Sequence, residues 1–304
     1  MIRIAAKSQA AVAVIGLGIM GSAIASHLAK AGVTVHGVDV DISARKRLAR
    51  VLTSVDASVS NALLGCKIAI TSLPSVSALE AVVKQILALG KQCPKGLVVV
   101  ETSTLPLTDK LQARDQLAAI GVTLLDCPLS GTGAQAKKKD LAIYASGERR
   151  AISRIRGLCQ HFSRVVYDVG AFGNGTQMKL VANLLVALHN VSTAEALLFG
   201  QRLGLDQLQM VNVLSDGAGG SRMLSVRGPV MANRTWQEAA MKVGVWQKDM
   251  EIIGDALKEA KVPAPLFSAS VPIYLAAMAQ GHALHDTAAV YAVLARMAGE
   301  DIPQ

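Results

Sequence analysis

Lys179 and Asn183 are the two residues of this chain best placed by type and spacing to do chemistry. Gly173 and Gly175 open a stretch that runs apolar at helical spacing from Thr176 to Leu203, with no proline. Lys179 and Asn183 lie four residues apart on it, so they share one face of the helix. A lysine on an apolar helix face is costly unless it is exposed, paired or functional. Its long stem can also snorkel to solvent, and the residue alone leaves both readings open. Asn183 tilts the balance, because asparagine is a poor helix former and a buried amide must be satisfied. A cation and an amide side by side can hold a substrate hydroxyl or carbonyl oxygen.

A second constellation lies near the N-terminus. Ala11-Val12-Ala13-Val14-Ile15 is a short apolar run of the kind that forms a buried parallel strand. Gly16-Leu17-Gly18-Ile19-Met20-Gly21 follows at once, then an Ala-rich helix to about Lys30, a stop at Gly32, a strand over 33–38 and Asp39. Gly16 allows the tight turn, and Gly18 lets the backbone approach a pyrophosphate at the helix N-terminus, where Ile19 and Met20 begin. Gly21 lets helix and strand pack closely. Asp39 stands where an acid can bond both ribose hydroxyls. Alone, a Gly-x-Gly-x-x-Gly is weak; with strand, helix and acid around it, it reads as a dinucleotide site. Asp39 would repel a 2′-phosphate, so NAD is the expected cofactor. Arg45 and Arg47 are close enough in sequence to soften that preference and leave NADP open, unless they merely line the exposed face of the next helix.

The alternation of strand and helix continues. Strands are expected over 68–73, ended by Pro74, over 97–100, leading into Glu101-Thr102-Ser103-Thr104, and over 122–125, with helices over 78–89 and 107–120. Ligands of such sheets bind at the carboxyl ends of the strands, which brings Leu73, Pro74, Ser103 and Thr104 into consideration. Asp126-Cys127-Pro128-Leu129-Ser130-Gly131-Thr132-Gly133 then leaves the fifth strand. Its small residues offer N–H groups and a hydroxyl suited to a carboxylate. Strands over 141–145 and 165–169 flank a helix over 149–162. Beyond Gly175 only helical patterns remain, over 205–214, 224–231, 243–260, 265–280 and 287–298. The expected fold class is α/β: an N-terminal Rossmann doubly wound sheet (residues 1–173), a long interdomain helix and an all-α C-terminal domain (174–304). Residues 1–10 read as a loose arm. Lys179, on the first turns of the joining helix, is expected where the two parts meet.

Composition narrows the function. The 304 residues suffice for two cores, and 51% are hydrophobic but only 3% aromatic. No apolar run reaches the roughly 18 residues that span a bilayer, and the first ten residues lack a signal-peptide core, so a cytoplasmic protein without membrane contact is expected. Cys66, Cys93, Cys127 and Cys159 are irregularly spaced, which predicts free thiols and no metal site. His282 and His285 lie beside Gly281 and Asp286, and a loop is the better reading there too. Residues 1–170 carry a net charge of +10 and residues 171–304 a net −1. The basic residues are scattered apart from Arg45-Lys46-Arg47 and Lys137-Lys138-Lys139, and almost no aromatics accompany them, so nucleic acid is not the expected partner. A basic surface also suits an anionic cofactor.

Four segments now form a pattern. Gly16 to Gly21, Asp126 to Gly131, Gly173-Asn174-Gly175-Thr176-Gln177-Met178-Lys179-Leu180-Val181-Ala182-Asn183 and Lys248-Asp249 resemble the four signatures of the β-hydroxyacid dehydrogenases, in order and at the expected intervals. The resemblance spans about residues 11–298 and is specific because four signatures coincide. It implies reversible hydride transfer between NAD(P) and a small carboxylate-bearing hydroxy acid or semialdehyde, and a homodimer or homotetramer. It implies that Lys179 is the catalytic lysine and that Asn183 orients substrate or lysine. It further implies that Ser130 and Gly131 hold the substrate carboxylate, that Leu73, Pro74 and Thr104 line the cofactor, and that Lys248 closes over it. Burial beside the apolar helix would lower the Lys179 pKa and ready it to accept a proton.

Two positions depart from the family pattern. Thr132 stands where a second glycine usually follows the serine, which would reshape the acid pocket. Lys139 replaces a turn glycine before Leu141. An imine reductase shares the fold but generally lacks the lysine, and a non-catalytic NAD-binding interaction module would tend to have lost it. Lys179 argues against both.

Overall fold

The computed structural model describes residues 11–300, so the expected arm over residues 1–10 lies outside the described residues. The chain divides into two units, one ending at Lys179 and the other beginning at Leu180.

The first unit is built on six parallel strands: β1 (Val12–Ile15), β2 (Val35–Val38), β3 (Ser54–Asp56), β4 (Ile68–Thr71), β5 (Val98–Glu101) and β6 (Thr123–Asp126). Helices α1 (Ile19–Lys30), α2 (Ile42–Leu48), α3 (Val59–Leu63), α4 (Val76–Ala88) and α5 (Leu107–Ala118) connect them. The strand order is β3-β2-β1-β4-β5-β6, a doubly wound sheet whose order reverses between β1 and β4. Val12, Val14, Ile70 and Val100 face one hydrophobic cluster with Ile24 and Leu28 of α1. Ala13, Ile15, Ala69 and Val99 face the other, with Leu79, Val83, Ile86 and Leu117 of α4 and α5. Both faces are covered, which is why these strands read as continuous apolar runs. The short β3 and α3 were not expected.

The strands expected over 141–145 and 165–169 exist but do not extend that sheet. β7 (Leu129–Ser130), β8 (Ala142–Ala145) and β9 (Val165–Asp168) form a separate three-stranded sheet, antiparallel at β7–β8 and parallel at β8–β9. Helices α6 (Gly133–Lys137) and α7 (Arg149–Cys159) complete it. Asp126 and Ser146 bridge the two sheets through N–H to carbonyl bonds of 3.0 and 2.8 Å.

At that bridge a buried polar cluster anchors α8 (Asn174–Arg202). The Asp126 carboxylate accepts from the Lys110 ammonium at 2.9 Å, and from the Thr176 N–H and hydroxyl at 2.7 and 2.8 Å. The Ser146 hydroxyl donates to it at 3.2 Å and accepts from the Gly175 N–H at 3.0 Å. The first N–H groups of a helix have no partner within it, and an acid there also meets the positive end of the helix dipole. Lys110 donates as well to the Ser103 carbonyl at 2.7 Å and lies 4.0 Å from Glu101. Lys110, Glu101 and Asp126 are all 0% exposed.

The second unit packs α9 (Gln207–Ser215), α10 (Arg222–Ala232), α11 (Val243–Glu259), α12 (Pro265–Ala279) and α13 (Val290–Met297) around the later part of α8. Its core joins Ala187, Val191 and Leu197 of α8 to Trp236, Trp246, Phe267 and Tyr291. Asn190, given no role from sequence, donates to the Tyr274 hydroxyl at 3.2 Å and the Thr287 carbonyl at 2.9 Å. Burial pushes the Tyr274 phenol up to about 12, so it stays a neutral donor, here to the Ala187 carbonyl at 3.1 Å. Arg227 bonds the Thr287 hydroxyl at 2.9 Å and pairs with Asp286 at 3.4 Å. His282 and His285 lie in the turn after α12 with their Nδ1 atoms 2.8 Å apart, each the other's partner. Burial, and then the neighbouring His285, lower the His282 pKa.

Over its 29 residues α8 is long and apolar enough, by length and composition, to cross a membrane. Thr176 and Asn190 are nevertheless bonded inside the protein, as a helix packed on protein requires.

All four cysteines are free, and only Cys93 is not buried. Burial pushes the Cys66 thiol up to about 11 and the Cys159 thiol up to about 12. In the native protein a thiol reagent should therefore modify Cys93 alone on mixing and the other three only after unfolding; rapid reaction of several would contradict this packing. Lys110→Met leaves two buried carboxylates without their cation and should lower the free energy of unfolding by about 3–5 kcal/mol in a urea titration. A loss below about 1 kcal/mol would mean the pair behaves as a solvated one.

Candidate active site

Apart from Lys248, which lies on α11 of the second unit, the expected cofactor residues gather at the carboxyl edge of the main sheet. Gly16, at φ +90°, makes the turn after β1, and a Cβ there would collide with the Ser72 carbonyl after β4. A Cβ on Gly21 would collide with the Gly16 carbonyl. Gly18 is different: a Cβ there meets nothing within 4 Å, so the space before α1 is open. The N–H groups of Ile19, Met20 and Gly21 begin α1 and lack partners within it. Two glycines that no side chain could replace and one facing open space fit a pyrophosphate at the helix N-terminus.

Asp39 closes this loop from β2. Its carboxylate accepts from the Leu17 N–H at 2.6 Å and from the Asp41 N–H at 2.8 Å. It is pinned in place, with further lone pairs for ribose hydroxyls. Arg45 turns back to the chain, donating to the carbonyls of Asp39 at 2.6 Å and Val40 at 3.1 Å. Arg47 lies over Ser43 at 3.4 Å. Leu73 donates its N–H to the Ser103 hydroxyl at 2.7 Å, which ties the loops after β4 and β5 together. Pro74 is exposed and Thr104 half-buried beside them.

The loop after β6 carries Ser130 at the end of β7 and Gly131 at φ +137°. A Cβ on Gly131 would come within 2.6 Å of the Leu141 side chain. Thr132, the first departure, has extended backbone and needs no glycine. It caps α6, its hydroxyl accepting from the Gln135 N–H at 3.4 Å while its own N–H donates to the Gln135 side chain at 3.0 Å. That N–H is therefore spent inside the loop. Lys139, the second departure, sits after the end of α6 at φ +58°, a left-handed position that favours glycine.

Lys179 is half-buried, three residues beyond Thr176 in α8. Asp126 thus both precedes the Ser130 loop in the chain and accepts from the first turn of α8. In the second unit, Asn183 is 4% exposed and donates to Asp249 at 3.2 Å. Lys248 lies 3.8 Å from the same carboxylate. Sequence reasoning named Asn183 and Lys248 separately and gave Asp249, which joins them, no role. It also assigned nothing to Lys110, Asp126 and Thr176. The available signal was Lys110, a cation on an otherwise core-facing turn of α5.

Two family models match this chain: the NAD binding domain of 6-phosphogluconate dehydrogenase over residues 11–170, and NAD-binding of NADP-dependent 3-hydroxyisobutyrate dehydrogenase over residues 173–294. L-threonate dehydrogenase of Cupriavidus necator is 29% identical, covering 92% of this chain and 94% of its own length. The 2-hydroxy-3-oxopropionate reductase of Escherichia coli is 28% identical, covering 95% and 98%. The solved structure of Mycobacterium tuberculosis 3-hydroxyisobutyrate dehydrogenase with L-serine superposes with a TM-score of 0.84 at 26% identity, covering 94% of this chain and 99% of that one. A doubly wound sheet with a fitted dinucleotide turn, a long following helix and these matches over nearly the whole length place the chain in the β-hydroxyacid dehydrogenase family, as an NAD(P)-dependent oxidoreductase.

Proposed function

We propose that this enzyme oxidises a small 3-hydroxy acid reversibly to its semialdehyde, with NAD as the preferred cofactor and Lys179 as the catalytic residue. The observation that carries the proposal is Lys179 itself: a half-buried cation one turn past the start of α8, which is anchored on the acid that precedes the Ser130 loop. A bound nicotinamide would supply the hydride acceptor for the carbon bearing the hydroxyl, or the hydride donor in the reverse direction. Neutral Lys179 accepts the hydroxyl proton during oxidation. As an ammonium it donates to the carbonyl oxygen during reduction and stabilises the alkoxide that develops there. Asn183, one turn on, orients the lysine or the substrate. The Ser130 hydroxyl and Gly131 N–H hold the carboxylate. Asp39 supports NAD over NADP, because a pinned carboxylate repels a 2′-phosphate. The free cysteines suit a cytoplasmic protein.

Rates of nicotinamide absorbance change should be measured with NAD and NADP over L-threonate, 3-hydroxyisobutyrate, glycerate and L-serine. At least one acid should turn over, faster with NAD. Activity with NADP alone would remove the Asp39 argument. Lys179→Ala should lower kcat by about 100-fold or more, the range general acid–base groups contribute, with NAD affinity nearly unchanged. Near-normal turnover would sink the assignment. We also propose a homodimer or homotetramer, supported by Phe199, Leu266, Leu275 and Leu284, large apolar side chains of the second unit that are 55–71% exposed. A monomer at micromolar concentration in sedimentation would refute it.

A further inference from the structure

The cluster around Asp126 does more than fill the interior. We propose that the Asp126 carboxylate, clamped between Lys110 and Thr176, positions Lys179 for proton transfer by fixing the first turn of α8. The inference rests on Lys179 being the catalytic residue.

Three observations carry it. First, Thr176 gives Asp126 both its N–H and its hydroxyl, at 2.7 and 2.8 Å. Two donors from one residue fix the rotation of the helix as well as its height. Second, the helix start touches the strand ends through backbone. A Cβ on Gly175 would lie 2.5 Å from the Tyr144 carbonyl and 2.7 Å from that of Asp126, so the turn has no room to slip. Lys179 follows Thr176 by three residues, about 4.5 Å along the axis. Third, the cluster is ionic where apolar packing would serve stability as well or better. Replacing a buried ion pair by well-packed hydrophobic residues is often neutral or stabilising, so a fully buried Lys110–Asp126 pair is a poor device for stability alone.

The same cluster holds the cofactor side. Lys110 bonds the Ser103 carbonyl, Glu101 accepts from the Ser103 N–H and the Thr71 hydroxyl, and Ser103 in turn accepts from Leu73. The loops after β4 and β5 and the first turn of α8 are thus held by one set of buried charges. Removing only the Thr176 hydroxyl should misplace the lysine and leave the Lys110–Ser103 and Glu101–Ser103 links on the cofactor side in place. Its signature is a fall in kcat with KM unchanged.

The test uses Thr176→Val, which keeps the size and shape of the side chain and removes the hydroxyl donor, and Thr176→Ser, which keeps the donor. The full-length enzyme is assayed with NAD and whichever of L-threonate, 3-hydroxyisobutyrate, glycerate or L-serine turns over fastest, and NAD affinity is measured by calorimetry. Thr176→Val should lower kcat by about tenfold, since misplacement near 1 Å can cost up to about 100-fold. KM for the acid and NAD affinity should stay within about twofold, and Thr176→Ser should restore kcat. Unchanged kcat in Thr176→Val, or a fall in NAD affinity that matches the fall in kcat, would overturn the proposal. If Thr176→Val does not fold, Ser146→Ala removes the partner of the Gly175 N–H more gently and should show the same split. Lys179→Ala run alongside separates the two ideas: wild-type turnover there removes the lysine assignment, whereas lost turnover there with wild-type turnover in Thr176→Val removes only the positioning role.

Discussion

A carboxylate with no access to water must be met by donors from every side, and Asp126 is such a carboxylate. Its donors come from α5, from the turn after β8 and from the first turn of α8. The group therefore knits together pieces of chain that hydrophobic contact alone would leave free to slide. Apolar packing is tolerant of small shifts, whereas hydrogen bonds to a buried charge are not. The first unit owes its cohesion to the apolar faces of its sheet, and owes the placement of the helix that leaves it to this acid. The second unit repeats the arrangement with Arg227 and Asp286, whose neighbour Thr287 receives Asn190 from the same helix.

Much of this was legible in the sequence because it is written in local patterns. Gly16, Gly18 and Gly21 with Asp39 announce the first strand, turn and helix through backbone demands that few other residues meet. Lys179 stands out because a cation breaks an otherwise apolar face. Other features leave no local trace. Asp126 is visible as part of a motif, but its partners lie 16 and 50 residues away, and a hydrogen bond across that distance has no periodicity. β8 and β9 are legible as strands but not as a separate sheet, because pairing, not composition, decides which sheet a strand joins. β3, α3 and α6 are too short for a period to show. The apolar character of α8 is legible in its helical spacing, although polar residues break every continuous run.

Thr132 shows how a readable signal can be masked by a neighbouring one. Thr132 with Gln135 three residues on is the sequence signature of a capping box. The surrounding glycines drew the eye to anion binding instead. The structure gives both residues to the helix start, and Gln135 passes the connection on to Asp140 at 3.1 Å. The loop is ordered by its own side chains, so the entropy of arranging it would not fall on any ligand it takes.

The anchors of α8 also differ in when they come into being. Thr176 meets an acid that lies 50 residues upstream, already made when the helix leaves the ribosome. Asn190 waits for Tyr274 and Thr287, 84 and 97 residues downstream. During synthesis one end of an apolar helix can therefore be secured early while the other keeps a hydrated amide and an uncovered hydrophobic face. Nascent chains in that state are prone to aggregate, and long-range contacts of this kind close slowly. The interval between these two anchors is the stretch of synthesis in which the later part of α8 has no downstream partner to cover it.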